Sequence, residues 1–253
     1  MMNKFFVPEQ DIHCNTAFIK GDDVKHINKV LRLQCGDKVN INNCDGKEFL
    51  GTIESVERES VTVKIIEEIE LCNESPVKMY LFQALPKSSK MDLIVQKATE
   101  IGAYEITPVI TRRVVVKVDF TQSKKAERWN KIAKEACKQC KRSRIPVVDR
   151  PIDFKGLLQS LVPMDLIFVP YENEKNLGIR NVIDSIDNRD TIKKVAVVIG
   201  PEGGFEENEI ELLKNMNSHI VTLGPRIFRT ETAGFVSLAL LMYELGDLGG
   251  IIR

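Results

Sequence analysis

Several kinds of chemistry lack their residues in this chain. No uninterrupted apolar run approaches the roughly 18 residues that a membrane-spanning helix needs. The opening Met1-Met2-Asn3-Lys4-Phe5-Phe6-Val7-Pro8-Glu9 turns polar too soon for a secretory leader. The six cysteines, at 14, 35, 44, 72, 137 and 140, are scattered over 253 residues. They read as reduced thiols and not as a disulfide framework, which makes the expected location cytoplasmic. Histidines number three (His13, His26 and His219), and none joins a Ser-His-Asp or Cys-His arrangement, so hydrolysis through a histidine-activated nucleophile is not expected. Cys137-x-x-Cys140 has no second Cys pair or His at zinc spacing. Core packing accounts for the pair, and no metal is expected.

One loop lacks what its shape suggests. The apolar run Val195-Ala196-Val197-Val198-Ile199 reads as a buried parallel strand, and it breaks at Gly200-Pro201 into Gly203-Gly204 before a polar helix start. Glycines there let backbone approach a ligand closely, and Gly203 is the position where close approach, with a positive φ, is expected. Yet no P-loop Lys-Ser/Thr and no G-x-G-x-x-G is present. The loop carries Glu202, Glu206, Glu207 and Glu209 where a triphosphate requires cations.

The formal net charge of zero conceals an uneven distribution. Lys and Arg against Asp and Glu number 9 and 14 over residues 1–75, 17 and 7 over 76–150, and 10 and 15 over 151–253, giving −5, +10 and −5. A middle third this basic suits a polyanionic partner, although a solvated, locally paired surface has the same composition.

Residues 1–72 alternate over short stretches (Ala17–Ile19, Lys38–Ile41, Phe49–Ile53, Ser60–Ile66) with turn signals between and one helix at Asp22–Leu31, capped by Asp22 or Asp23. A small β-barrel is expected. After the linker Leu71–Pro76 the pattern changes to strands at Val77–Ala84, Ile106–Val116, Leu166–Val169, Val195–Ile199 and His219–Leu223, with helices at Ser88–Ile101, Ser123–Lys141 and Thr232–Leu245. Such alternation predicts a mostly parallel α/β sheet over 73–253.

Within the helix KKAERWNKIAKEACKQCKRSR, Trp129, Ile132, Ala133, Ala136, Cys137 and Cys140 form an apolar stripe, and cations including Lys131, Lys134, Lys138, Arg142 and Arg144 cover the rest. That surface suits phosphate contacts along a nucleic-acid backbone. A second stretch, HIVTLGPRIFRTETAGFVSLALLMYELGDL, places Leu223-Gly224-Pro225 at a strand end, then Arg226 and Arg229, then a helix for which Thr230 is the expected cap. Residues 233–243 are apolar almost all round, which requires cover from a core or a second subunit. The two glycine turns, each at the carboxyl end of a strand, are expected side by side on the ligand-binding edge of the sheet. Tight turns alone would also explain these glycines.

IGPEGGFEENEI with LGPRIFRTETA resembles the RsmE family of ribosomal RNA methyltransferases, in the SPOUT superfamily. HINKVLRLQCGD is similar to the family's PUA-like RNA-binding domain, and KSSKMDLIVQKATEIG and EACKQCKRSRIP resemble its internal motifs. The likeness covers nearly the whole chain. It departs at Phe228, where Leu is usual, and at Cys140, where Ser is common.

The resemblance implies a PUA-like β-barrel at 1–72, a SPOUT α/β domain with a trefoil knot at 73–253, and a homodimer. It implies S-adenosylmethionine (SAM) as cofactor, held by Leu85, Ile199, Gly200, Pro201, Glu202, Gly203, Gly204, Leu223, Gly224, Ile227, Phe228, Thr232 and Ala233. SAM brings no phosphate, so acid in the glycine loop is tolerable. The implied reaction is methylation of N3 of a uridine in 16S ribosomal RNA, probed best in the 30S subunit. Arg229 and then Arg226 are the expected charge stabilisers, and Glu231 is a proton acceptor or an orienting group for Arg229. RNA contacts are expected from Arg32, Lys87, Arg112, Arg113, Lys131, Lys134, Lys138, Arg142 and Arg144. The alternatives are a SPOUT enzyme methylating a ribose 2′-hydroxyl of transfer or ribosomal RNA, and a non-catalytic RNA-binding protein.

Overall fold

The computed structural model describes residues 2–70, 73–87, 90–115 and 123–250. Leu71 and Cys72 of the expected linker, Ser88 and Ser89 at the expected helix start, and Val116 of an expected strand lie outside these. The chain divides into two compact units: residues up to 74 together with 137–145, and residues 75–136 together with those from 146 on.

In the first unit, β1 (Lys4–Phe6), β2 (Ile12–His13), β3 (Thr16–Lys20), β4 (Lys38–Asn42), β5 (Glu48–Val56) and β6 (Ser60–Ile69) pair in the order β1-β4-β5-β6-β3-β2. The path is open, so the barrel expected from the sequence is a half-barrel sheet. Alternation selects its inner face: Val39 and Ile41 of β4 and Val61 and Val63 of β6 are buried with Phe5, Ala17, Ile19 and Ile53. The β5–β6 register slips at Leu50/Gly51 and Ile53/Ser55, the irregularity that bends a strand. A Cβ on Gly51 would lie 2.5 Å from Val63 Cγ1, so the first slip requires glycine. The helix α1 (Asp22–His26) starts from Gly21 with no side-chain cap and continues as a π-helical turn, Ile27–Leu31. Neither aspartate is the cap, because the helix begins earlier with Gly21 at the N-cap; Asp22 pairs with Lys25 (3.2 Å) and Asp23 with Lys138 (3.1 Å).

Residues 137–145 belong to this unit through polar contacts. Glu74 accepts from the Arg142 side chain (2.7 Å) and from the backbone N–H of Ser143 (2.9 Å) and Arg144 (2.8 Å). Arg144 pairs with Asp45. Burial pushes the Cys137 thiol up to about 12, partly offset by Arg142. Cys137 is therefore a protonated core residue, as its place in the apolar stripe requires.

The second unit contains β7 (Lys78–Ala84), α2 (Lys90–Ile101), β8 (Glu105–Ile110), α3 (Ser123–Cys140, to residue 136), β9 (Val147–Val148), β10 (Ile152–Asp153), α4 (Phe154–Leu161), β11 (Leu166–Pro170), α5 (Ile179–Asp184), β12 (Lys194–Ile199), α6 (Glu207–Lys214), β13 (His219–Val221) and α7 (Thr230–Leu245). The sheet runs β10-β8-β7-β12-β11-β13, with β9 on β8, and every pair is parallel. β12 is central and buried on both faces, which explains its uninterrupted apolar run. Ala196 and Val198 join the core of α4 and α6 residues that includes Leu157, Leu161, Ile210 and Leu213. The helix α7 packs against α2, β7 and β12.

The apolar helix is only partly dry. Leu238, Leu241 and Met242 are fully buried within the chain, whereas Leu240 is 42% and Tyr243 63% exposed. Leu241 is therefore internal core. The face in want of cover carries Leu240 and Tyr243.

Candidate active site

A cleft of about 1020 Å³ opens at the carboxyl ends of three neighbouring strands, β12, β11 and β13. This is the edge at which open parallel sheets hold ligands. Three segments line it: 170–172 with Glu174 and Lys175 after β11, 199–205 after β12, and 222–230 with Ala233 after β13. The two glycine turns share this edge and line one cleft, as expected, although their strands are not neighbours. β11 runs between their strands, and its exit loop supplies Tyr171, Glu172, Glu174 and Lys175, which sequence reasoning missed. No glycine marks that loop next to the strand. The only available signal was an apolar strand ending in the polar run Tyr171-Glu172-Asn173-Glu174-Lys175.

Of the expected cofactor residues, Ile199 through Gly204, Leu223, Gly224, Ile227, Phe228 and Ala233 line the cleft. Leu85 and Thr232 do not. The Leu85 side chain is buried beyond the end of β7, where its N–H donates to Val109 O at 2.9 Å. Thr232 lies in the first turn of α7, outside the lining. Phe205, Thr222, Pro225 and Thr230 are further lining residues that the sequence reading did not assign to the cofactor.

The glycine loop turns through a hydrogen bond from Gly204 N to Pro201 O (2.9 Å), and the positive φ falls on Gly204 (+69°) and not on Gly203. Gly203 faces Arg113 instead. A Cβ there would sit 3.3 Å from Arg113 Cβ, and Arg113 Nη1 donates to Gly203 O at 2.9 Å. Gly224 also has positive φ (+113°), with open space where a side chain would be.

Two acids of this loop, Glu209 and Glu202, have structural partners. Glu209 is buried and accepts from Arg112 N (3.0 Å) and Glu206 N (2.9 Å), so it ties the end of the segment after β8 to the start of α6. Glu202 accepts from Lys87 N (3.0 Å) and lies 3.5 Å from Lys90 Nζ. Burial raises the Glu202 carboxyl, but hydrogen bonds from its own and the Lys87 N–H, with Lys90, outweigh that and hold it below the ordinary carboxylate range. Glu174 is likewise lowered, first by N–H donation from Asn176 and Leu177.

Thr230 does not cap α7. Its hydroxyl donates to Gly200 O (2.6 Å) and accepts from Gln83 Nε2 (2.8 Å). It thus ties the ends of β7, β12 and α7 together. Arg229, the residue immediately before, is the helix N-cap, with no capping side chain of its own. Arg226 and Arg229 are both exposed, both line the cleft, and neither forms a hydrogen bond or ion pair through its guanidinium among the described residues. Glu231 does not line the cleft. It pairs with Lys90 at 3.1 Å.

The expected RNA contacts divide by what they already hold. Arg142 is buried on Glu74, Lys138 pairs with Asp23 and Arg144 with Asp45, so their charges are compensated within the chain. Arg32, Lys87, Arg112, Arg113 and Lys131 are exposed and Lys134 half-buried. Lys87, Arg112 and Arg113 lie on segments bonded to Glu202, Glu209 and Gly203 respectively. His219 lies against Phe168, burial lowers its pKa, and it does not line the cleft.

The cleft has room for a nucleoside-sized ligand: glycine backbone and apolar side chains line it together with Glu172, Glu174 and Glu202, and its cations whose side chains have no hydrogen-bond or ion-pair partner among the described residues are Arg226, Arg229 and Lys175. Known proteins bear on what that ligand is. An RNA methyltransferase domain model matches residues 73–242 and an RNA methyltransferase PUA domain model matches residues 19–66. The chain is 36% identical to the ribosomal RNA small subunit methyltransferase E of Bacillus subtilis, with 98% of this chain and 99% of that protein covered. Two solved structures that contain SAM superpose at TM-score 0.81: a methyltransferase from Legionella pneumophila (32% identical, 98% and 100% covered) and the ribosomal RNA small subunit methyltransferase E of Neisseria gonorrhoeae (28% identical, 98% and 100% covered). With its PUA half-barrel, its parallel α/β RNA methyltransferase domain and a cleft that both signature loops line, this chain belongs to the RsmE family of ribosomal RNA small subunit methyltransferases.

Proposed function

We infer that this chain is a SAM-dependent methyltransferase of 16S ribosomal RNA, and we propose N3 of a uracil as the atom methylated. The observation that carries the reading is the pair of uncompensated guanidiniums, Arg226 and Arg229, in a cleft of glycine turns. When bound, SAM supplies an electrophilic methyl group. The chain's task is to make a poor nucleophile competent. Neutral uracil N3 bears a proton, and its loss leaves negative charge on O2 and O4. An Arg229 guanidinium facing those oxygens stabilises the charge as it develops, without reorganising at that moment. Arg226 is the second donor. The Thr230 bonds to Gly200 and Gln83 hold the residue after Arg229 against the glycine loop, which keeps donor and cofactor wall in register. Glu231 neutralises Lys90 and is given no proton-transfer role.

Arg32, Lys87, Arg112, Arg113, Lys131 and Lys134 are the proposed phosphate contacts, which position the RNA while the cleft selects the base. A second copy of this chain is the proposed cover for Leu240 and Tyr243. The described cysteines are all free thiols, and no described helix is long and apolar enough to cross a membrane, in keeping with a cytoplasmic location. Incubation with labelled SAM and 30S subunits, followed by mass spectrometric location of the methyl group, tests the reading. Label on uracil N3 is expected. Label on a ribose 2′-oxygen would make this the ribose-modifying kind of SPOUT enzyme, and absence of both SAM binding and transfer would make it an RNA-binding protein only.

A further inference from the structure

Three carboxylates line the cleft, and two of them are occupied. Glu202 takes the N–H of Lys87 and the ammonium of Lys90. Glu174 takes the N–H groups of Lys175 (3.0 Å), Asn176 (2.7 Å) and Leu177 (3.1 Å), which folds its own loop. The third, Glu172, is exposed on the cleft wall and has no hydrogen-bond or ion-pair partner among the described residues. Its position is defined by the neighbouring loop. A Cβ on Gly204 would collide with a Glu172 carboxylate oxygen, so the acid lies directly against the turn that forms the opposite wall. Glu172 follows β11 by two residues, and β11 is the parallel neighbour of β12, which ends in the glycine loop. In dinucleotide-binding α/β folds an acid near the end of the strand beside the glycine-loop strand receives a ribose hydroxyl, and Glu172 stands at the comparable place beside β12.

We propose that Glu172 is a cofactor-binding residue whose carboxylate accepts the vicinal 2′- and 3′-hydroxyls of the SAM ribose. The assignment rests on the SAM reading of the cleft. A diol presents two O–H donors to two carboxylate oxygens, a match that charge-assisted bonding strengthens. The loop after β11 thereby becomes the third arm of the cofactor site, beside the two arms that carry glycine.

The cofactor also offers an ammonium and a sulfonium, and the test separates them. Binding of SAM, S-adenosylhomocysteine (SAH) and 5′-methylthioadenosine to the parent and to Glu172→Gln is measured by calorimetry. SAH lacks the sulfonium, and methylthioadenosine lacks both charges but keeps the diol. All three ligands are expected to weaken by the same factor, about tenfold, the scale of one lost hydrogen bond to a charged group. The parent is expected to bind 2′-deoxy-methylthioadenosine about tenfold more weakly than the ribose form, and Glu172→Gln to bind the two alike. A loss confined to SAM would assign Glu172 to the sulfonium, and a loss sparing only methylthioadenosine would assign it to the ammonium. Either result, or unchanged discrimination against the 2′-deoxy ligand, overturns the proposal. If the parent binds none of these ligands, the SAM reading itself fails.

Discussion

Two sets of cations in this chain look alike in sequence and differ in what they are free to do. In the basic stretch that ends at Arg144, Arg142 is buried on Glu74, Lys138 pairs with Asp23, Arg144 with Asp45 and Arg128 with Asp92. Around the β13–α7 turn, Arg226 and Arg229 are exposed in a cleft with no such partner among the described residues. Charge density marks the first set and charge availability marks the second. A transition-state donor must be uncompensated until the reaction develops its charge, so the proposed chemistry is assigned to the sparser set.

Substitutions in the two sets should therefore fail differently. The largest effect expected on stability is from Arg142→Ala, which leaves Glu74 without the guanidinium of a largely buried pair. Its cost is about 3 kcal/mol, read as a shift in the urea midpoint. Methyl transfer by the fraction that remains folded should be near that of the parent. Arg229→Ala should reverse that pattern: an unchanged midpoint, SAM affinity within about twofold, and transfer slowed about 100-fold, or about 2.7 kcal/mol. Gly204→Ala forces a side chain into positive φ against Glu172. About 1–2 kcal/mol of strain should appear as roughly tenfold weaker SAM binding by calorimetry. Lys131→Glu should have the smallest effect. It weakens RNA binding without regard to sequence and lowers the log–log salt slope by about 1, with SAM affinity unmoved. If Lys131→Glu slowed transfer as much as Arg229→Ala, the division between the two sets would collapse.

The parts of this division that were legible in the sequence are local ones. The Val195–Ile199 run, the Gly203-Gly204 pair and the Gly224-Pro225 turn each declare themselves within a few residues, and they delivered β12 and two arms of the cleft. The third arm stayed hidden because the loop after β11 bears no glycine beside the strand, and because strand order is not written in periodicity. β11 follows β10 in the chain, yet it separates β12 from β13. The pairing of Arg142 with Glu74 spans 68 residues, and no local pattern predicts such a contact, so the +10 of the middle third overstated the charge free to meet RNA. Thr230 illustrates the same limit. Its place before an apolar helix reads as a cap, while its hydroxyl is taken by Gln83 of β7 and by Gly200, just past β12. The trefoil crossing has no signature in composition or spacing, and that expectation came from the family resemblance alone.

In the proposed mechanism Arg229 stabilises negative charge on a uracil that has lost its N3 proton. The pH dependence of the single-turnover methylation rate, in the parent and in Arg229→Ala with SAM saturating, tests it most directly. With the guanidinium in place the anion forms readily, so the parent rate should level off at a lower pH. The variant rate should continue to rise with pH, and the gap between the two should narrow toward alkaline pH as hydroxide supplies the missing driving force. Parallel profiles separated by a constant factor would contradict the account, because they would show that Arg229 acts on something other than the charge of the base.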